Sequence, residues 1–118
     1  MNGGRGKGLR TEDVMRRVRR GCASGTAAAL SCLAEASKAL TARESGRLRR
    51  SCRVSLSPDG LSGTVSYDTP YAVAQHENTG LAHPRGGRAK YLQAACEDRA
   101  VAERMLREAA RETGRRLK

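Results

Sequence analysis

The chain has 118 residues, a formal net charge of +11 and only 3% aromatic residues. No segment is apolar for long enough to cross a bilayer, residues 1–8 lack the apolar core of a secretory signal, and the four cysteines lack the paired spacing of a zinc site. The sequence therefore predicts one small, basic domain with reduced thiols and no membrane partner. Its core is thin enough that we expect it to need neighbouring subunits.

Residues 1–9 are rich in glycine and predict a flexible basic arm, which carries Arg5 and Lys7. A long helix is expected to follow, with Thr11 as its N-cap, carboxylates in its first turn and an end near Ala42. Its apolar face recurs at steps of three and four residues. The members of that face are Val14, Val18, Cys22, Gly25, Ala29, Leu33, Ala36 and Leu40.

Gly46 is the predicted stop of this helix, and an alternating pattern follows it. Cys52, Val54 and Leu56 share one face, Pro58-Asp59-Gly60 is a turn signal, and the return run has an apolar face of its own. This pattern predicts a β-hairpin with one apolar and one polar face, which needs cover from a helix or from strands of another subunit. Gly63 predicts a bulge or a close backbone approach.

A short helix over residues 70–80 is predicted next, because Asp68 or Thr69 is a suitable cap, Pro70 suits the first position and Gly80 suits the end. A glycine-rich basic loop follows, and then a last helix over residues 89–114. The predicted apolar stripe of this helix comprises Leu92, Ala95, Ala102, Met105, Leu106 and Ala109. The fold class is thus α+β: long N-terminal helix, hairpin, short helix, long C-terminal helix. We expect a single domain over residues 10–114 and a basic tail over 115–118.

The stretch from Tyr67 to Leu92 holds the polar residues that are candidates for a site. His76 and Glu77 adjoin, but no nucleophile or further ligand accompanies them, so we expect no catalysis, no metal and no cofactor. Structural and interface roles fit these residues better, since tyrosine combines a large ring with a polar tip. The predicted interface residues are Tyr67, Tyr71, His76, Glu77, Arg85, Arg88, Lys90 and Tyr91.

The positive charge indicates an anionic partner, most often nucleic acid. The candidates for residues that face DNA are Arg5, Lys7, Arg10, Arg49 and Arg50. Many of the arginines have two simpler explanations, a solvated surface or binding to acidic neighbouring proteins. A small basic nucleic-acid-binding protein is the alternative interpretation of the whole chain.

Several short motifs give the chain a resemblance to a known family. They are Gly46-Arg47-Leu48-Arg49 before the hairpin, Tyr71-Ala72, His76-Glu77 with Thr79-Gly80, and Ala89-Lys90-Tyr91-Leu92. In their order and spacing, over about residues 11–112, they resemble the tail-completion or head–tail joining proteins of tailed bacteriophages. Those proteins are often labelled minor capsid proteins.

The resemblance implies a structural protein of the virion neck, assembled in the cytoplasm of a bacterial host. It implies a homo-oligomeric ring, usually of six subunits, between the head-side connector or stopper ring and the tail-terminator ring. Double-stranded DNA would pass through the centre of that ring. The loop from His83 to Arg88 departs from the family, because it has more glycine and arginine than the family's loop.

Overall fold

The computed structural model describes residues 10–41, 46–68, 73–77, 83–84 and 90–118. It has four helices and one antiparallel sheet in this part of the chain, with the strands in the order β1-β2-β3-β4. The α+β class is confirmed, as are the long N-terminal helix, the hairpin and the long C-terminal helix. In chain order the elements are α1 (Thr11–Leu40), α2 (Gly46–Arg50), β1 (Arg53–Leu56), β2 (Ser62–Ser66), β3 (Val73–Glu77), β4 (His83–Pro84), α3 (Lys90–Glu97) and α4 (Arg99–Leu117).

Helix α1 begins one residue earlier than its predicted cap implied. Arg10 occupies the N-cap position without a side-chain hydrogen bond, and Thr11 is already helical. Glu12 and Asp13 still lie in the first turn, where the helix dipole favours carboxylates. At the other end, the backbone N–H of Thr41 donates to the carbonyl of Lys38 over 3.0 Å, which closes the helix. Gly46 is not its stop, because Gly46 opens α2.

The predicted hairpin is present, with its turn at the predicted residues. The Asp59 carboxylate accepts hydrogen bonds from the Ser57 hydroxyl over 2.6 Å and from the backbone N–H of Leu61 over 3.0 Å. Gly60 adopts a φ of 74°, a conformation that glycine tolerates without strain. Its Cα also faces the Cβ of Ala23, so the turn rests on the middle of α1.

The helix predicted over residues 70–80 is wrong, because Val73–Glu77 forms strand β3. This strand pairs antiparallel with β2, placing Gln75 opposite Thr64 and Ala74 opposite Val65. Pairing with β2 supplies hydrogen-bond partners for the backbone N–H and C=O groups of β3. This stabilisation by a distant segment outweighs the local capping signals. Strand β4 then adds to the far side of β3, so the hairpin becomes part of a four-stranded sheet.

The prediction of a single last helix over residues 89–114 is also wrong, because the helix is interrupted at Asp98. Asp98 has an extended backbone, and its carboxylate accepts a hydrogen bond from the N–H of Ala100 over 2.9 Å, so it caps α4. Helix α4 then continues through Gly114 to Leu117, so most of the predicted tail is helical. The break changes which residues face inward: Met105 is buried, whereas Leu106 is exposed although the predicted apolar stripe included it.

Helices α1 and α4 lie antiparallel and approach closely at two glycines of α1. A Cβ on Gly25 would overlap the Thr113 hydroxyl and would come within 2.8 Å of the carbonyl oxygen of Ala109. A Cβ on Gly21 would lie 3.3 Å from both the Leu117 side chain and the Thr113 carbonyl. Glycine at these two positions therefore sets the distance between the helices, at the cost of helix propensity.

The core is small and lies where α1 crosses the sheet and meets the two C-terminal helices. Its buried apolar members are Ala29, Leu30, Cys32, Leu33, Ala34, Val65, Tyr67, Leu92, Ala95 and Met105. The predicted close approach at Gly63 is confirmed, since a Cβ there would lie 2.5 Å from a methyl of Leu30. The radius of gyration is 17.1 Å, above the roughly 13–14 Å of a compact domain of this length. An elongated shape with so few large core residues leaves much surface for contacts with neighbours.

A buried hydrogen bond fixes the end of β2 against α1. The hydroxyls of Tyr67 and Ser37 lie 2.6 Å apart, and the Tyr67 ring meets the Tyr91 ring edge-on at a centroid distance of 4.9 Å. Burial raises the pKa of Tyr67 above its usual range, so the phenol stays protonated in the folded state.

Removing the Tyr67 hydroxyl is expected to destabilise the fold modestly. The Tyr67→Phe variant keeps the ring contact but leaves the buried Ser37 hydroxyl with only its bond to the Ala34 carbonyl. We expect a loss of about 1–2 kcal/mol in the free energy of unfolding, measured by urea denaturation. Ser37→Ala in the same background should then cost little more, because the partner is already gone. Additive losses would contradict the coupling of the two hydroxyls.

Candidate functional surfaces

The outer edge of β1 is the first of two surfaces that the fold leaves open. Within the described residues, β1 pairs only with β2, so its other edge has no strand beside it. Val54 and Leu56 are 43% and 46% exposed, whereas Val65, the cross-strand partner of Val54, is fully buried. Partners in an antiparallel pair share a face, so α1 covers that face fully at β2 and only in part at β1.

The backbone of β1 offers hydrogen bonds at the same two residues. The N–H of Ser57 donates to the carbonyl of Ser62 over 2.9 Å, which makes this a hydrogen-bonded pair. Because such pairs alternate along an antiparallel ladder, Ser55 and Arg53 bond to β2 while the N–H and C=O groups of Val54 and Leu56 point outward. Apolar side chains and unpaired backbone groups therefore coincide along one edge, a combination that favours strand addition.

The first three turns of α1 and the last two turns of α4 form the second surface, which we call the basic end. The antiparallel packing brings Leu117 beside Gly21, so these segments lie at the same end of the helix pair. Residues 10–20 and 111–118 carry nine basic side chains against three carboxylates, an excess of six positive charges. The basic members are Arg10, Arg16, Arg17, Arg19, Arg20, Arg111, Arg115, Arg116 and Lys118.

Some charges of the basic end are paired within their own helices. Arg115 and Arg116 both bind the Glu112 carboxylate, at 3.0 and 3.1 Å, and Arg16 lies 3.2 Å from Asp13. Hydrogen bonds from Arg115, and next from Arg116, lower the pKa of Glu112, so this carboxylate stays ionised. These pairs are exposed and contribute little to stability, but they hold the guanidinium groups in place.

The predicted interface residues divide between the core and a region that the structure describes only in part. Tyr67 lies in the core, which leaves it almost no exposed surface for a partner, and Tyr91 is half-buried against it. His76 and Glu77 lie in β3, where their backbones pair with Gly63 and Ser62 of β2. Lys90 is the first residue of α3. Three further predicted residues, Tyr71, Arg85 and Arg88, lie outside the described residues.

The residues predicted to face DNA do not form one surface. Arg5 and Lys7 lie outside the described part of the chain, and Arg10 is exposed at the start of α1. Arg49 and Arg50 are exposed in α2, which follows the other end of that helix. Because α1 has 30 residues, its two ends are about 45 Å apart. Any DNA contact at Arg10 is therefore separate from one at Arg49 and Arg50.

The cysteines of the described chain are all free thiols; Cys32 is buried, and Cys22, Cys52 and Cys96 are partly buried. Desolvation raises the pKa of the Cys96 thiol to about 11, with a smaller contribution from Glu97. Burial likewise raises the pKa of Cys32, against the opposing effect of Arg104. Both thiols are protonated at neutral pH, and a protonated thiol is a poor nucleophile.

The described residues hold no group of three or more histidine, cysteine or acidic side chains arranged to bind a metal ion. None of the helices in that part of the chain combines the length and apolar character of a membrane span. No protein-family model, curated protein or solved structure shows significant similarity to this chain. The outer edge of β1 and the basic end are therefore the candidate functional surfaces of the described chain.

Sequence patterns did not identify Val54 and Leu56 as surface residues. They lie on the predicted apolar face, and alternation alone does not tell whether a helix covers that face. One signal was present in the sequence. The hairpin needed cover over both strands, and the long helix predicted before it has small residues at its centre, such as Ala23, Ala27 and Ala28. A helix with small side chains lies close to one strand and covers less of the next.

Proposed function

We propose that this chain is a structural protein of the bacteriophage neck that assembles into a ring between head and tail. The supporting observation is the open edge of β1, where Val54 and Leu56 expose both their side chains and their backbone hydrogen-bonding groups. The resemblance of the Gly46–Arg49 and Ala89–Leu92 motifs to head–tail joining proteins supplies the biological setting. A ring of about six copies, with double-stranded DNA passing through its centre, is part of this proposal.

The geometry of a ring constrains how β1 is used. If β1 paired with β1 of a second copy about a twofold axis, the contact would close at two subunits. A ring requires a heterologous contact, in which β1 meets a different surface of its neighbour. Each contact is weak, since it includes four strand residues and the burial of two half-exposed side chains contributes about 1 kcal/mol each. Closure favours the ring, because every subunit then makes two contacts.

The proposed role of β1 is tested with the double variant Val54→Lys/Leu56→Lys. Two charges on an edge strand oppose strand addition, and the long lysine stems let these charges stay in water, so we expect the variant to be a folded monomer under conditions in which the wild-type chain assembles. The measurement is native mass spectrometry with circular dichroism as the check of folding. Thr64→Lys/Ser66→Lys is the matched control, because it adds the same charge to β2, on the face of the sheet that Val65 does not share, and leaves the edge strand unchanged. If both variants assemble alike, β1 is not the interface.

Membership of the virion is a separate test of the same proposal. Electron microscopy and mass spectrometry of purified particles, from a phage that carries this gene, are expected to place the chain at the head–tail junction. A chain that never enters particles would end the proposal. The alternative function, a small nucleic-acid-binding protein, predicts submicromolar binding of the monomer to free DNA near physiological salt. A neck subunit is expected to bind free DNA only weakly under those conditions.

A further inference from the structure

The side chains of four arginines of the basic end have no ion pair or hydrogen bond with any residue that the structure describes. They are Arg10, Arg17, Arg19 and Arg20, and all four side chains are exposed. Among the described residues of this end, the only carboxylates are Glu12, Asp13 and Glu112, and the last two already bind Arg16, Arg115 and Arg116. The positive charge of this end is thus largely uncompensated within the described chain.

The basic end presents its charge on a rigid support. Arg10 to Arg20 span ten residues of helix geometry, about 15 Å along the axis of α1. Helix α4 ends beside Gly21, so α1 projects beyond it and these residues can be approached from several sides. Over about 15 Å, a B-form duplex carries roughly nine phosphates. A helix that holds five arginines over this length matches a linear polyanion better than it matches a compact anion.

The described residues of this surface include no aromatic side chain on which a base could stack, and Arg10, Arg17, Arg19 and Arg20 lie on exposed faces of α1. Exposed arginine side chains on such a surface contact phosphates, and these contacts are independent of sequence and sensitive to salt. They also let a duplex slide, because one set of ion contacts is exchanged for an equivalent set.

From these observations we infer that the basic end binds the phosphate backbone of double-stranded DNA, through Arg10, Arg17, Arg19 and Arg20. This binding does not depend on ring formation, since β1 and the basic end are different surfaces. The Val54→Lys/Leu56→Lys variant should therefore bind DNA at least as tightly as the wild-type monomer, because it keeps the basic end and adds two positive charges. Failure of the ring and failure of this inference can thus be told apart.

The test is a titration of the full chain against a mixed-sequence duplex of about 20 base pairs, followed by fluorescence anisotropy at several salt concentrations. The variant Arg10→Gln/Arg17→Gln/Arg19→Gln/Arg20→Gln removes the four charges while keeping good helix formers at the helical positions. We expect its affinity near 50 mM salt to fall on the order of 100-fold. The slope of log affinity against log salt should become shallower by about 0.9 for each phosphate that the variant no longer neutralises.

A matched control removes four exposed arginines of β1 and α4 that lie outside the basic end and were not predicted to face DNA. It is Arg53→Gln/Arg99→Gln/Arg104→Gln/Arg107→Gln, and it changes the net charge by the same amount. We expect this control to keep the salt slope of the wild type and nearly all of its affinity. Equally weakened binding in the two variants would overturn the inference, because net charge alone would then explain binding.

A second arm of the test distinguishes DNA from an acidic protein partner. Polyglutamate of the same total charge as the duplex has flexible carboxylates in place of a rigid row of phosphates. We expect the duplex to bind at least tenfold more tightly than polyglutamate, and we expect this preference to disappear in the variant of Arg10, Arg17, Arg19 and Arg20. Equal or tighter binding of polyglutamate would overturn the inference in favour of an acidic protein surface.

Discussion

Leu92→Asp is expected to unfold most of the chain at 25 °C. Leu92 is fully buried in the core, where α3 meets α1 and the sheet. Removing a buried leucine costs about 2–5 kcal/mol, and a carboxylate without a partner adds several more at neutral pH. The sum is comparable with the total stability of about 6–18 kcal/mol for a chain of this length. The measurement is urea denaturation followed by circular dichroism.

The matched control for this prediction is Leu106→Asp. Leu106 lies in α4 and is 59% exposed, so the same substitution removes little buried surface and leaves the new charge in water. We expect a loss below about 1 kcal/mol, mainly from helix propensity. The two leucines were predicted to share one apolar stripe, and the break at Asp98 separates their environments. Similar effects of the two substitutions would show that α3 and α4 form one continuous helix.

Gly25→Ala is expected to lower the melting temperature although alanine is the better helix former. Alanine in a helix gains about 1 kcal/mol over glycine. At Gly25, however, the new methyl would overlap the Thr113 hydroxyl and lie 2.8 Å from the Ala109 carbonyl oxygen. Backbone atoms cannot turn aside, so α1 and α4 would have to separate along their length. We expect a net loss of about 2 kcal/mol, which corresponds to roughly 10 °C in the melting temperature.

Gly114→Ala is the same chemical change as Gly25→Ala, but we expect it to change the melting temperature in the opposite direction. A Cβ at Gly114 would have nothing within 4 Å, and the residue lies inside α4. Only the helix-propensity gain applies there, so the melting temperature should rise by a few degrees. Differential scanning calorimetry of both variants gives the comparison directly. If Gly25→Ala also raises the melting temperature, the close approach of α1 and α4 is not present in solution.

Local signals in the sequence predicted the parts of the fold that depend on local chemistry. Pro58, Asp59 and Gly60 form the turn because their backbone preferences and the Asp59 carboxylate act within a few residues. The long α1 follows from its periodic apolar face, although Val14 and Leu40 at its ends are exposed. The α+β class could be derived from these elements alone.

The remaining parts of the fold depend on contacts between distant segments. The residues before Val73–Glu77 are typical of the start of a helix, yet this segment becomes a strand because β2 offers a free edge. The break at Asp98 had a local signal, an aspartate suited to capping, but the apolar pattern on both sides concealed it. The exposure of Val54 and Leu56 depends on where α1 crosses the sheet, which no local pattern specifies.

The candidate surfaces were predicted less completely than the fold. The basic character of the chain pointed to an anionic partner, but it did not show that residues near the two ends of the sequence lie together. The antiparallel packing of α1 and α4 brings Arg17 and Lys118 to one end of the molecule, whereas Arg49 and Arg50 lie in α2, which follows the opposite end of α1. The basic residues that the composition counts together therefore lie on two separate surfaces, the basic end and α2.

Native mass spectrometry of the full chain at increasing concentration is the decisive experiment for self-assembly through the open edge of β1. We expect one closed species with more than two copies, about six if the resemblance holds, which Val54→Lys/Leu56→Lys converts to monomers. A chain that remains monomeric at high concentration would contradict it. A dimer that persists at every concentration would also contradict it, because a twofold contact closes without forming a ring.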